Sequence, residues 1–119
     1  MTELINLTQA KQHLRYPLDV DADDDALYQK LELAHGLVLD FCKAYVSDDA
    51  AAVAAWYATV DAWTSDTAPA GVRAAILETL SDLDADRGDR NAPAEGQRYH
   101  TLPPRAAGFL VRIKDPVLR

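Results

Sequence analysis

Asp23-Asp24-Asp25-Ala26-Leu27-Tyr28-Gln29-Lys30-Leu31-Glu32-Leu33-Ala34-His35-Gly36-Leu37-Val38-Leu39-Asp40-Phe41-Cys42-Lys43-Ala44-Tyr45-Val46 is the stretch that decides the fold. Leu27, Leu31, Ala34, Val38, Phe41, Cys42 and Tyr45 fall within a stripe about 100° wide at helical spacing. Leu33 and Leu37 widen the stripe on one flank, and Tyr28, Leu39 and Val46 widen it on the other. The helix should start near Asp23 or Asp24, where carboxylates cap free N–H groups and favour the positive dipole end. A helix this apolar needs neighbours on several sides, and in a small chain some of that cover is expected from other subunits.

Working outward, each flank also reads as helix. Upstream, Thr8 is a candidate N-cap with Leu7, Ala10 and Leu14 at helical spacing, and Tyr16-Pro17 ends that segment. Downstream, Ser47-Asp48-Asp49 can cap a third helix through Ala62 or Trp63, with Val53, Trp56, Tyr57, Val60 and Trp63 in an alanine-rich frame. Pro69 fits the first turn of a fourth helix with Val72, Ala75, Ile76, Leu80 and Leu83 inward, stopped at Gly88. Leu102-Pro103-Pro104 opens a last short helix with Ala106, Phe109, Leu110 and Ile113 inward. No strand pattern is convincing and no repeat is present. The expected fold is all-α, a small bundle of four to five helices with a long loop and an extended C-terminal tail. Residues 1–113 read as a single domain, with an atypical helical insert at 46–68, a long polar loop at 88–101 and a tail at 114–119.

Composition narrows the function classes. With 119 residues the chain suits one domain, and 12 bases against 19 acids give a net charge of −7. That balance opposes a nucleic-acid reader held by phosphate contacts. The one cysteine, Cys42, excludes a disulfide framework and a multi-cysteine zinc site. No apolar run approaches the roughly 20 residues of a membrane span, and no secretory signal is visible at the start. The charge is unevenly placed: −8 from Met1 to Asp66, and +4 from Arg87 to the end. Such ends attract each other within one chain or between neighbours, or are ordinary solvated surface.

Sites for chemistry dissolve on inspection. Asp21, Asp23, Asp25 and Glu32 match positions of a calcium loop, but Ala26 stands where the sharp turn needs glycine. His13, His35 and His100 lack metal-site spacing, and Cys42 lies on the apolar stripe as a small core residue. No phosphate-binding glycine loop and no nucleophile elbow occur. Neither an enzyme nor a cofactor is expected. Trp56, Tyr57 and Trp63 read either as core or as an aromatic face for a partner.

The run Leu7-Thr8-Gln9-Ala10-Lys11-Gln12-His13-Leu14-Arg15, followed by Asp23-Asp24-Asp25-Ala26-Leu27, resembles the head–tail connector (adaptor) proteins of tailed bacteriophages. That family opens with a short "L-T-x-x-x-A-K-x-H-L" helix. An acidic turn, a long apolar helix, a proline-led helix and a closing "L-P … L-L … R" segment follow. The later pieces here are Ala68-Pro69-Ala70-Gly71-Val72-Arg73-Ala74-Ala75-Ile76-Leu77 and Leu102-Pro103-Pro104 through Leu110-Val111-Arg112. Between Ser47 and Thr67 the chain departs, with an alanine- and tryptophan-rich stretch in place of an irregular loop.

The resemblance implies a structural virion subunit at the capsid vertex, made in the bacterial cytoplasm. It implies a homo-oligomeric ring, commonly of about twelve copies with closed symmetry, that docks on the portal protein. The ring extends the channel through which double-stranded DNA passes unread, and receives the next connector, stopper or tail protein. The candidate oligomer and portal contacts are Arg87, Arg90, Arg98, Tyr99, Arg105, Arg112, Lys114 and Arg119, together with Asp23, Asp24 and Asp25. The alternative is a small acidic regulatory module that binds a protein partner through Trp56, Tyr57 and Trp63.

Overall fold

Five helices follow one another in a computed structural model that describes residues 3–44, 47–86 and 102–114. They are α1 (Leu7–Leu14), α2 (Asp24–Lys43), α3 (Ala50–Asp61), α4 (Ala70–Asp86) and α5 (Pro104–Lys114). The described residues contain no strand, and the fold is an all-α bundle. The 88–101 loop, Tyr45, Val46 and the tail from Asp115 lie outside the described residues, as does Gly88.

α2 is the central element and packs on each of the other four helices. Its buried residues Leu27, Leu31, Ala34, Val38 and Cys42 repeat every three or four positions, the spacing of one helix face. Opposite them stand Val72, Ala75, Ile76, Leu80 and Leu83 of α4, all buried. Ala106 and Leu110 of α5 close the core from a third side. Burying a leucine or isoleucine side chain contributes roughly 1.5–3 kcal/mol, so this facing pair of stripes dominates the folding energy. Much of the cover that α2 needs comes from its own chain, while Leu37, Leu39 and Phe41 are half-buried. Tyr28 and Leu33 remain exposed on its flanks.

Other boundaries shift for local reasons. Asn6 caps α1 instead of Thr8: Asn6 Oδ1 accepts from the Gln9 N–H at 2.8 Å, and Gln9 Oε1 accepts from the Asn6 N–H at 2.9 Å. This reciprocal box satisfies two donors at once, which a threonine two residues later cannot match. α1 ends at Arg15, which takes a left-handed conformation with φ 62°. The Tyr16 N–H then donates to Lys11 O at 2.9 Å and the Arg15 N–H to Gln12 O at 3.2 Å, a Schellman ending followed by Pro17. Asp49 caps α3, accepting from the Ala51 and Ala52 N–H groups at 3.0 and 3.3 Å. α2 stops at Lys43, short of Val46, and Pro69 stands just before α4, its carbonyl accepting from Val72 and Arg73. Pro104 takes the first helical position of α5, where its missing N–H costs nothing. On α5 Ala106 and Leu110 face inward and Ile113 is half-buried, but Phe109 is exposed.

The helix directions follow from side-chain contacts. Lys30 near the start of α2 pairs with Asp84 near the end of α4 at 3.2 Å, so the two helices run antiparallel. Arg105 approaches Glu78 at 3.6 Å, while a Cβ placed on Gly71 would meet Phe109 O and Ile113 Cδ1 at 3.0 Å. α5 therefore also runs antiparallel to α4, and Gly71 is the residue that lets the two backbones approach.

Candidate functional site

The acidic turn between α1 and α2 is organised by one buried cation. Lys11 lies on the inner face of α1, where its stem packs in the core and its ammonium reaches the following turn. Nζ donates to Val20 O at 2.8 Å and pairs with Asp24 at 2.5 Å. The two bonds tie the run from Pro17 to Asp23 against α1. Asp23 holds the N-cap position of α2 without a side-chain cap bond. Asp24 and Asp25 lie in the first turn, where carboxylates interact favourably with the helix dipole.

Charges in this region thus sort into two kinds. Asp24 is half-buried and engaged with Lys11. Asp19, Asp21, Asp23 and Asp25 are exposed, and among the described residues they make no ion pair. Leu18 and Val20 stand between them, each more than half exposed at 53% and 52%. The turn therefore presents two aliphatic side chains in a ring of negative charge. Behind it, the Tyr16 hydroxyl donates to Asp84 at 2.5 Å, and His13 Nε2 lies 3.0 Å from Ser81 Oγ. These contacts fasten the α1 end of the turn to the C-terminal half of α4.

Of the basic candidates, Arg105 is described with its side chain, which is exposed beside Glu78. Arg112 and Lys114 lie on α5. Arg87, Arg90, Arg98, Tyr99 and Arg119 lie outside the described residues.

The aromatic trio divides. Trp56 and Trp63 are buried and meet edge-to-face with ring centroids 6.0 Å apart. The Trp56 indole N–H donates to Cys42 O at 2.7 Å, so it satisfies a carbonyl at the end of α2. Tyr57 is exposed, with the Lys43 ammonium 5.9 Å from its ring centre. The two indoles are core, and Tyr57 alone faces solvent beside the exposed alanines of α3.

Sequence reasoning missed His35, considering it only as a metal or nucleophile partner. It is buried, and its ring joins the N-terminal segment to α2. Nδ1 donates to Leu31 O at 2.8 Å, while Nε2 accepts from the Leu4 and Ile5 N–H groups at 3.1 and 3.2 Å. Its spacing from Leu31 and Val38, four and three residues away, was the available signal, since it places the ring inside the apolar stripe.

Among the described residues no group of three His, Cys, Asp or Glu side chains is placed to hold a metal ion. Asp21, Asp23 and Asp25 sit at the entry to α2, and Glu32 lies further along that helix. Two clefts formed by described residues measure about 150 and 260 Å³. Both fall short of the roughly 300–1,000 Å³ of small-molecule pockets. The features that stand out are surface ones, an acidic end and a basic helix. Neither a family model, nor a curated protein, nor a solved structure matches the chain.

Proposed function

We propose that this chain is a structural, non-catalytic subunit of a head–tail connector ring of a tailed bacteriophage. It docks on the portal protein, extends the DNA channel and receives the next connector, stopper or tail protein. The observation that supports this reading most is the sorting of charge on one small bundle. The turn at the start of α2 carries four exposed carboxylates, while α5 carries Arg105, Arg112 and Lys114. A surface with opposite signs at separate places suits head-to-tail contacts, and such contacts form a ring where the rotation between copies closes. The segments that carry the family resemblance, Leu7–Arg15 and Asp23–Leu27, are the two sides of the turn that Lys11 ties together. DNA passes an acidic subunit with little sticking, because like charges repel.

The reading is tested by native mass spectrometry of the purified chain, alone and with the portal protein of its phage, and by proteomics of purified particles. A ring-sized species on the portal and presence in particles are expected. A soluble one-to-one complex with a host protein, together with absence from particles, would replace this reading with that of a regulatory module.

A further inference from the structure

The partners of His35 fix the protonation state of its ring. Leu4 and Ile5 present backbone N–H groups, which only donate, so Nε2 must offer a lone pair. Leu31 O only accepts, so the ring proton sits on Nδ1. The neutral form with that tautomer is the one that fits. A second proton, on Nε2, would point at two backbone donors and remove both acceptor bonds at once.

That added charge would also stand alone. Among the described residues the ring makes three hydrogen bonds and no ion pair. Glu3, beside Leu4, is exposed, as are Glu32 and Asp40 on α2. Lys30 of α2 pairs with Asp84 of α4, Lys43 with Asp61 of α3, and Asp24 with Lys11 of α1. On α4, Glu78 lies beside Arg105, and the half-buried Arg73 and Asp82 make no bond to the ring. A buried charge without a partner is costly, and the chain relieves it by opening.

The opening is short. Asn6 and Gln9 hold the start of α1 with reciprocal bonds of their own. Lys11 and Tyr16 fasten that helix to Asp24 and Asp84. Release is therefore confined to the residues before Asn6. Leu4 lines a cleft with Leu39, Val60 and Trp63, so its departure uncovers that apolar surface.

We infer that His35 is a pH-sensitive latch: the neutral ring holds Leu4 and Ile5 against α2, and protonation of Nε2 releases them. This goes beyond the connector reading and does not depend on it. Once released, the ring is solvated and titrates at the ordinary imidazole value of about 6.5. Release takes up one proton below that value and none above it, so the held form is favoured at higher pH and lost as pH falls. Between pH 7.5 and 5.0 the ratio of released to held chain rises about 30-fold. Carboxylates, with ordinary values near 4, stay largely ionised over this range, so the change belongs to histidine.

Amide exchange of the full chain at pH 7.5 and 5.0, corrected for the intrinsic pH dependence of exchange, tests the latch. Protection of Leu4 and Ile5 should fall about 30-fold, while Leu80 of α4 remains the slower to exchange at both values. His35→Gln supplies a side chain that takes no proton in this range. Whether its oxygen reaches the two amides or leaves them open, their protection should no longer change with pH. His13→Gln, which alters the exposed contact with Ser81, should leave the 30-fold fall intact.

The inference is overturned if neither amide is protected at pH 7.5, or if their protection is the same at both pH values. It is equally overturned if Leu4, Ile5 and Leu80 exchange together at pH 5.0, since acid then unfolds the whole bundle. Persistence of the fall in His35→Gln, or its loss in His13→Gln, would assign the effect to another group and sink the latch.

Discussion

Replacing His35 by phenylalanine keeps a planar aromatic ring, a somewhat larger one, and removes both ring nitrogens, which makes it a direct probe of how the N-terminal segment is held. In the native chain Nε2 is the acceptor for two consecutive backbone donors, Leu4 and Ile5, both of which are buried. Leu31 O keeps a helical partner when the ring is replaced, so the loss falls on the two N–H groups. Leaving a buried donor unsatisfied costs about 1–3 kcal/mol, which puts the cost for two at about 2–6 kcal/mol. The chain has an escape, since the segment from Glu3 to Asn6 can peel away and rehydrate those donors. Peeling gives up the burial of Leu4 and Ile5, roughly 1.5–3 kcal/mol each. It recovers about 1–2 kcal/mol of backbone entropy per residue freed. Burial and entropy nearly offset on that route, which leaves the two lost hydrogen bonds at about 0.5–1.5 kcal/mol each, and we expect a loss of about 2 kcal/mol.

For a domain of ordinary stability, roughly 5–15 kcal/mol, that is a large fraction of the total. Urea unfolding near neutral pH should show the midpoint falling, and the melting temperature should drop by about 10 °C. Amide exchange at Leu4 and Ile5 should speed up far more than exchange at Leu80 in α4, because only the segment peels. A loss under about 1 kcal/mol, with both amides as protected as before, would refute the claim that this ring anchors the segment.

Three further substitutions probe other joints. Trp56→Phe keeps an aromatic core contact with Trp63 but leaves Cys42 O without its indole donor, and should cost about 1–2 kcal/mol in urea unfolding. Gly71→Ala places a methyl 3.0 Å from Phe109 O and Ile113 Cδ1, so α5 must shift off α4; a loss of about 1–3 kcal/mol is expected, read by thermal unfolding. Arg15→Gly relieves the left-handed strain at the end of α1 and should raise stability by about 0.5–1 kcal/mol, measurable as a higher urea midpoint.

Much of the fold was legible in the sequence because its signals are local and periodic. The α2 stripe and the α4 stripe each repeat at helical spacing, and the residues they nominate, from Leu27 to Cys42 and from Val72 to Leu83, are buried, with Phe41 half-buried. Local competition decided the details that pattern reading misplaced. Thr8 and Asn6 are both good caps, and the choice between them turns on Gln9 three residues after Asn6. The burial of Leu4 and Ile5 was not legible, since it depends on a histidine 31 and 30 residues away in sequence. Phe109 illustrates the opposite failure. Its apolar character argues for the core, but Ala106 and Leu110 already fill the α4-facing side of α5, and the next positions round the helix point outward.

The charged surface was legible only as a sum along the chain, because counting cannot say which charges are already satisfied. Asp23, Asp24 and Asp25 are chemically identical neighbours, and the structure separates Asp24 from the other two through Lys11. That pairing does more than neutralise one acid. By also holding Val20 O, Lys11 fixes the path of the turn, so Leu18, Asp19 and Asp21 are displayed by a braced loop instead of a free one. A surface ordered before contact loses less entropy on binding, which matters most where the contact is small. Asp19 and Asp21, which stood outside the candidates drawn from sequence, are thus exposed acids of a braced turn, as Asp23 and Asp25 are at its far end. Asp24, a candidate by sequence, is engaged with Lys11 and helps to hold that turn in place.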